Sequence, residues 1–147
     1  MKKLVYNMML LFLVIGSCEE SQKEIKFHKS HEPSRSNTPF SDAVETEDLL
    51  FLTGQIGRDH TTGNLVEGGI KAETKQCIEN IKAVLQFHHL ELDDVAKCTV
   101  ILKDINDFAA FNEIYVQYFT KKPARTTFAA SGLAGNASIE IEVIAVK

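Results

Sequence analysis

The sequence predicts an α+β fold, a mixed β-sheet carrying two helices on one face. Three observations lead there. Apolar residues switch between a period of 2 and a period of 3.6 along the chain, in the order ββ-α-β-α-ββ. Two segments carry helical apolar stripes, enough to cover one side of a sheet. The last strand alternates without a break, with Ile139, Ile141, Val143 and Ala145 on one side and Glu140, Glu142, Ile144 and Val146 on the other. A face that begins charged and ends apolar is rarely left in water. Self-association through that uncovered face is therefore expected.

The elements follow in order. Ala43-Val44 and Leu49-Leu50-Phe51-Leu52 read as two strands around the polar turn Glu45-Thr46-Glu47-Asp48. A second turn follows at Thr61-Thr62-Gly63-Asn64. Ile70, Thr74, Cys77, Ile78, Ile81, Val84 and Leu85 recur at helical spacing, which predicts a helix of about 19 residues. Lys71, Glu73, Lys75, Glu79 and Lys82 should lie on its outer face. Residues 95–102 are β-rich and largely apolar, as a central strand would be. Asp104 can cap a second helix bearing Ile105, Phe108, Ala109, Phe111, Ile114, Tyr115 and Phe119, with Pro123 as its stop. Strands at 124–130 and 138–146 enclose the loop Ser131-Gly132-Leu133-Ala134-Gly135-Asn136.

Composition narrows the class. The chain has 147 residues, 44% hydrophobic and 24% charged, and fits one globular domain. It is too apolar for a disordered chain, and its three cysteines do not make a disulfide scaffold. A net charge of −4 is the wrong sign for a phosphate-backbone binder.

Residues 1–17 form a separate object. Lys2 and Lys3 precede an apolar run at 8–15, which is too short to span the ~30 Å hydrocarbon core of a bilayer. It reads as a secretory signal. Ile15-Gly16-Ser17-Cys18 resembles the bacterial lipobox, which implies that Cys18 is lipidated and becomes the mature N-terminus. The expected organisation is a lipoprotein signal peptide at 1–17, lipidated Cys18 with a polar tether at 18–36, and the domain at 37–147. Within the tether, alternation around 25–28 suggests a short edge strand. The protein is then expected in the bacterial cell envelope, membrane-anchored and facing the periplasm or held at the outer membrane.

No phosphate loop, nucleophile elbow or Cys-x-x-Cys is present. His28 and His31 lie in a region without helical pattern. His88 and His89 are adjacent, so on a helix they point about 100° apart and cannot easily share a metal. No metal site is assigned. Cys77 and Cys98 either pair or remain free and buried. Arg125 follows a proline and opens an apolar strand, a placement suited to bidentate grip of a small carboxylate. Glu140 could accept a proton beside it, and the alternative is a cross-strand Arg125–Glu140 ion pair.

Several stretches lie in register with one family. These are Thr53-Gly54-Gln55-Ile56-Gly57, Gln76, Asn80-Ile81, Asp94-Val95-Ala96-Lys97, Asp104-Ile105-Asn106-Asp107-Phe108 and Phe111-Asn112-Glu113-Ile114-Tyr115. Phe119, Pro123-Ala124-Arg125 and Ile139-Glu140-Ile141-Glu142 complete them. From Phe40 to the end the chain resembles the Rid (RidA/YjgF) family of reactive-intermediate imine deaminases. The resemblance implies a chorismate-mutase-like homotrimer with clefts between subunits, needing no metal or organic cofactor. It implies hydrolysis of 2-imino or enamine acids, such as 2-aminoacrylate and 2-iminobutanoate, to 2-oxo acids and ammonia. Arg125 would hold the substrate carboxylate, Gly54 would offer backbone groups near the imine nitrogen, and Glu140 would bind the attacking water.

Phe40 and Thr127 belong to the same implied substrate cleft but depart from the pattern. Phe40 stands where active members commonly have Tyr, which removes a phenolic hydroxyl. Thr127 stands where many have Cys, which keeps polarity without thiol chemistry. A non-catalytic trimer that binds small carboxylates in the same cleft is the alternative. Some family members are labelled endoribonucleases, but the acidic balance and lack of a basic–aromatic stripe argue against a nucleic-acid partner.

Overall fold

The computed structural model describes residues 24–147. Residues 1–17, read as a signal peptide, and Cys18, read as its lipidation site, lie outside the described residues.

Seven strands and two helices form the domain, in the chain order β1–β4, α1, β5, α2, β6, β7. Strands β1 (Lys26–His28), β2 (Ala43–Glu45), β3 (Leu49–Leu52) and β4 (Gln55–Ile56) come first. Helix α1 (Gly69–Phe87) leads to β5 (Val95–Leu102), and α2 (Phe108–Tyr118) to β6 (Ala124–Ala129) and β7 (Ile139–Val146). The sheet order is β1-β2-β3-β7-β5-β6, with β4 continuing the β3 edge of β7. Only β5 and β6 run parallel, and α2 is their crossover. This is the mixed sheet with two helices that the sequence predicts. The edge strand foreseen near 25–28 is β1, antiparallel to β2 with Phe27 opposite Val44.

β7 alternates as its sequence does. Ile139, Ile141, Val143 and Ala145 are buried against the helices. They meet Cys77, Ile78, Ile81, Val84 and Leu85 of α1 and Phe111 and Tyr115 of α2 in one core. The opposite face carries Glu140, Glu142, Ile144 and Val146, and rows in register add Phe51, Ile101 and Phe128. Phe51, Phe128 and Val146 are exposed there.

Three details differ from the sequence reading. Glu73, expected on the outer face of α1, is buried. Its carboxylate accepts hydrogen bonds from Ser138 N (2.8 Å) and Ser138 Oγ (2.6 Å), which ties the helix to the approach of β7. The helix can come this close because Gly57 faces it: a Cβ at Gly57 would overlap the Glu73 backbone. Asp104 caps a 3₁₀ turn at Ile105–Asp107 by accepting from Asn106 N, and α2 proper begins at Phe108. The helix ends at Tyr118, well before Pro123, because Phe119 already leaves the helical region (φ −94°, ψ 69°).

Cys77 and Cys98 are free and buried. Cys77 Sγ donates to the Gln55 carbonyl at 3.0 Å, and burial pushes its thiol far above the ordinary range. Two outcomes follow. Peptide mapping should find both thiols unlabelled by maleimide in the native protein and labelled in guanidinium. Glu73→Ala, which leaves the Ser138 amide without its acceptor, should cost about 1–3 kcal/mol in urea denaturation, while Glu73→Gln should recover most of that loss.

Candidate functional site

Arg125 lies on the edge strand β6, opposite Cys98 of β5. Its side chain therefore points to the helix side. The guanidinium donates from Nη1 to Asn112 Oδ1 at 2.9 Å and sits 4.5 Å from the Tyr115 ring centroid and 5.2 Å from that of Phe111. A planar cation against aromatic faces keeps its charge while losing rotational freedom. Burial pushes the Tyr115 phenol well above its usual range, and its hydroxyl has no hydrogen-bond partner among the described residues. Arg125, Asn112, Pro123 and Lys122 share a cavity of about 380 Å³ with Tyr115 and Phe119. Lys122 is unusual here, because the residue before a proline avoids helical conformations and a side chain disfavours positive φ. The rim beside Arg125 is thus held in a strained backbone.

Glu140 belongs to the other face. It stands opposite Ile101 and Ile56, and its neighbours in sequence, Ile139 and Ile141, face the core. Its carboxylate lies on the backbone of Gly54 so closely that a Cβ there would overlap Oε1. Burial, and then the charge of Glu142, push the Glu140 carboxyl above its ordinary range. Glu140, Gly54, Phe40 and Thr53 line a second cavity of about 330 Å³. Phe40 is half exposed at its mouth.

The sequence-named residues thus fall into two groups. Phe40, Gly54 and Glu140 come together, and Arg125 is joined by Asn112. Thr127 shares the Arg125 face of β6 but lines neither cavity, and its hydroxyl is buried without a partner among the described residues. The cross-strand Arg125–Glu140 ion pair, left open from the sequence, is overturned. The two side chains lie on opposite faces of one sheet.

Sequence reasoning missed the cationic wall of the second cavity. Arg35, placed in the tether, ends a 3₁₀ turn at Pro33–Arg35. It pairs with Asp42 at 2.8 Å and donates to Gln55 Oε1, so both neutral and charged partners fix it. Arg58 and His60 complete the wall. Burial, reinforced by the Arg35 charge, holds His60 below the usual imidazole range. The ionic link between Arg35 and Asp42 spans seven residues in an irregular segment, where no periodicity marks it.

Comparison with known proteins matches this arrangement to a family. The family model described as Endoribonuclease L-PSP matches residues 30–147. A RutC family protein of Pyrococcus horikoshii is 49% identical over 110 residues, covering 74% of this chain and 87% of that protein. Human 2-iminobutanoate/2-iminopropanoate deaminase is 41% identical over 110 residues, covering 74% of this chain and 80% of the human one. Among solved structures, a protein of the conserved Rid family from Yersinia pestis superposes with a TM-score of 0.79 at 34% identity, over 84% of this chain and all of that one. A match of this extent, over the strands and helices that carry both cavities, makes the chain a member of the Rid family.

Proposed function

We propose that the chain hydrolyses 2-imino or enamine acids to 2-oxo acids and ammonia, at sites completed between copies of a homotrimer. The observation that carries this reading is the Glu140 carboxylate, half-buried on the Gly54 backbone with a raised proton affinity. The 41% identity to the human imine deaminase supports it.

The position of Arg125 argues for completion by a neighbour. It sits on the sheet's edge strand, and Glu140 sits on the open face of the sheet. If the β6 edge of one copy meets the open face of the next, two unlike surfaces join. Such head-to-tail contacts close into a three-membered ring when each copy turns by a third of a circle. That contact would also cover Phe51, Phe128 and Val146.

Each group then has a chemical role. Arg125, held by Asn112, grips the substrate carboxylate and sets the imine carbon beside one water. Glu140 accepts a proton from that water as its oxygen bonds to the carbon, giving a carbinolamine. Protonation of the amino group lets ammonia leave as the C–N bond breaks and the carbonyl forms. Atoms balance: one imino acid and one water give one oxo acid and one ammonia.

The chemistry sets the pH dependence. Glu140 acts when ionised, and its proton affinity is raised, so activity is full above the raised pKa and falls as pH drops through it. The acidic limb of kcat/KM should lie above the ordinary carboxylate range. Glu142→Gln removes the like charge and should move that limb to lower pH.

A lipidated Cys18 anchoring the trimer in the cell envelope is part of the proposal and rests on Ile15-Gly16-Ser17-Cys18. Palmitate labelling of the wild type, lost in Cys18→Ala, is its expected signature.

The central test uses the full chain with 2-iminobutanoate generated in place by an amino-acid oxidase. The wild type should accelerate ammonia release. Glu140→Gln should lower kcat about 10²–10⁴-fold, the usual range for a general base. Arg125→Lys, which cannot grip bidentately, should lose activity largely through KM. A wild type that shows 2-oxobutanoate-dependent thermal shifts, abolished in Arg125→Ala, but no turnover would select the carboxylate-binding alternative that Phe40 favours.

A further inference from the structure

His28, Glu45 and His88 come from three different elements and meet at one corner of the domain. His28 ends β1 and Glu45 ends β2, and in the β1–β2 register they are diagonal neighbours on the helix side of the sheet. His88 follows the last turn of α1, which crosses that corner. One ligand atom from each residue lies within 4.8 Å of the other two. His28 Nε2 is 2.8 Å from Glu45 Oε2, and the His28 and His88 rings meet edge-on with centroids 4.6 Å apart. None of the three lines either cavity.

We infer that His28, Glu45 and His88 form a binding site for a divalent first-row metal ion of the zinc type. Two imidazoles and one carboxylate are a donor set that zinc favours, with a fourth position left to water. In a tetrahedral zinc site the donors stand ~3.3 Å apart, so His28 Nε2 and Glu45 Oε2, at 2.8 Å, would part slightly while His88, within 4.8 Å, moves in. The backbone already limits that movement. The β1–β2 ladder holds His28 and Glu45, and the α1 end is fastened by Leu90 N to Leu85 O at 2.9 Å.

The helix end favours a cation there, and a neighbouring lysine orients the carboxylate. The C-terminal end of α1 carries the negative pole of the helix dipole. Glu45 is oriented by Lys147, whose Nζ takes Oε1 at 2.7 Å and leaves Oε2 to face His28. Around the cluster, Phe87 packs against His88 and His31, with centroids at 5.4 Å and 4.9 Å. A bound ion would tie β1, β2 and α1 together, and so clamp the first described strand to the domain.

The site is tested on the full-length chain with Zn²⁺ alone, by calorimetric titration, and with Co²⁺ read by its visible d–d bands. One Zn²⁺ should bind per chain, raise Tm, and give a four-coordinate Co²⁺ spectrum. His28→Ala and His88→Ala should each weaken binding at least about 100-fold, the upper range for losing even an outer-shell partner. They should also abolish the Tm rise, and His28→Gln and His88→Gln serve where an alanine variant unfolds. His31→Ala and His89→Ala should leave affinity unchanged. Lys147→Ala, which removes a competing cation from Glu45, should tighten binding several-fold. The inference is overturned if Zn²⁺ does not bind stoichiometrically, or if folded His28 and His88 variants bind it as the wild type does.

Discussion

Hydrogen bonding along both edges of β7 sets the positions of Gly54, Glu140 and Arg125. One edge is shared by β3 and β4, and the other belongs to β5. Pinned this way, β7 cannot slip by one residue without exchanging its two faces. Ile139, Ile141, Val143 and Ala145 anchor the helices, so Glu140 is forced to the opposite side. β4 pairs with the start of β7, which lays Gly54 under the Glu140 carboxylate. β5 in turn carries β6, and so delivers Arg125 to the helix side of the sheet's edge. The separation of Arg125 and Glu140 across the sheet follows from the register alone.

Much of this was legible in the sequence. α1 and β7 were read from their periods, because each buries one continuous apolar face, and burial is what periodicity records, while β5 was read from its β-rich, largely apolar run. Gly54, Arg125 and Glu140 were legible for another reason: short stretches such as Thr53-Gly54-Gln55 and Pro123-Ala124-Arg125 resemble those of the family whose model matches the chain. Periodicity failed where a polar group serves a distant partner. Glu73 sits among charged residues on its helix and reads as solvated, yet Ser138 draws it inward from sixty-five residues away. Arg35 lies in a stretch without pattern, and only Asp42 and Gln55 explain its order.

The histidines give the clearest case of the same limit. Spacing offers His28 with His31 and His88 with His89, and both are neighbours in sequence. The structure pairs His28 with His88 across a strand ladder and a helix end. No local rule joins positions whose meeting depends on where α1 stops. The Arg125–Glu140 relation failed differently. Both residues were singled out, but the sheet face of each depended on register and on which strands were neighbours. The parallel β5–β6 pair, made possible by the α2 crossover, placed Arg125.

The sheet order β3-β7-β5 also bears on how the chain comes to exist. The strand that joins the two halves of the sheet, β7, follows every other strand of that sheet in chain order. A ribosome-bound chain lacking residues 139–146 has two unjoined fragments: the β1–β3 meander and the β5–β6 pair. Neither fragment is the whole sheet, and the β3 edge and the β5 edge each wait for β7. Closing the sheet therefore depends on long-range pairings that form slowly. Until β7 pairs, both edges present unpaired backbone groups, the kind of strand edge on which chains aggregate.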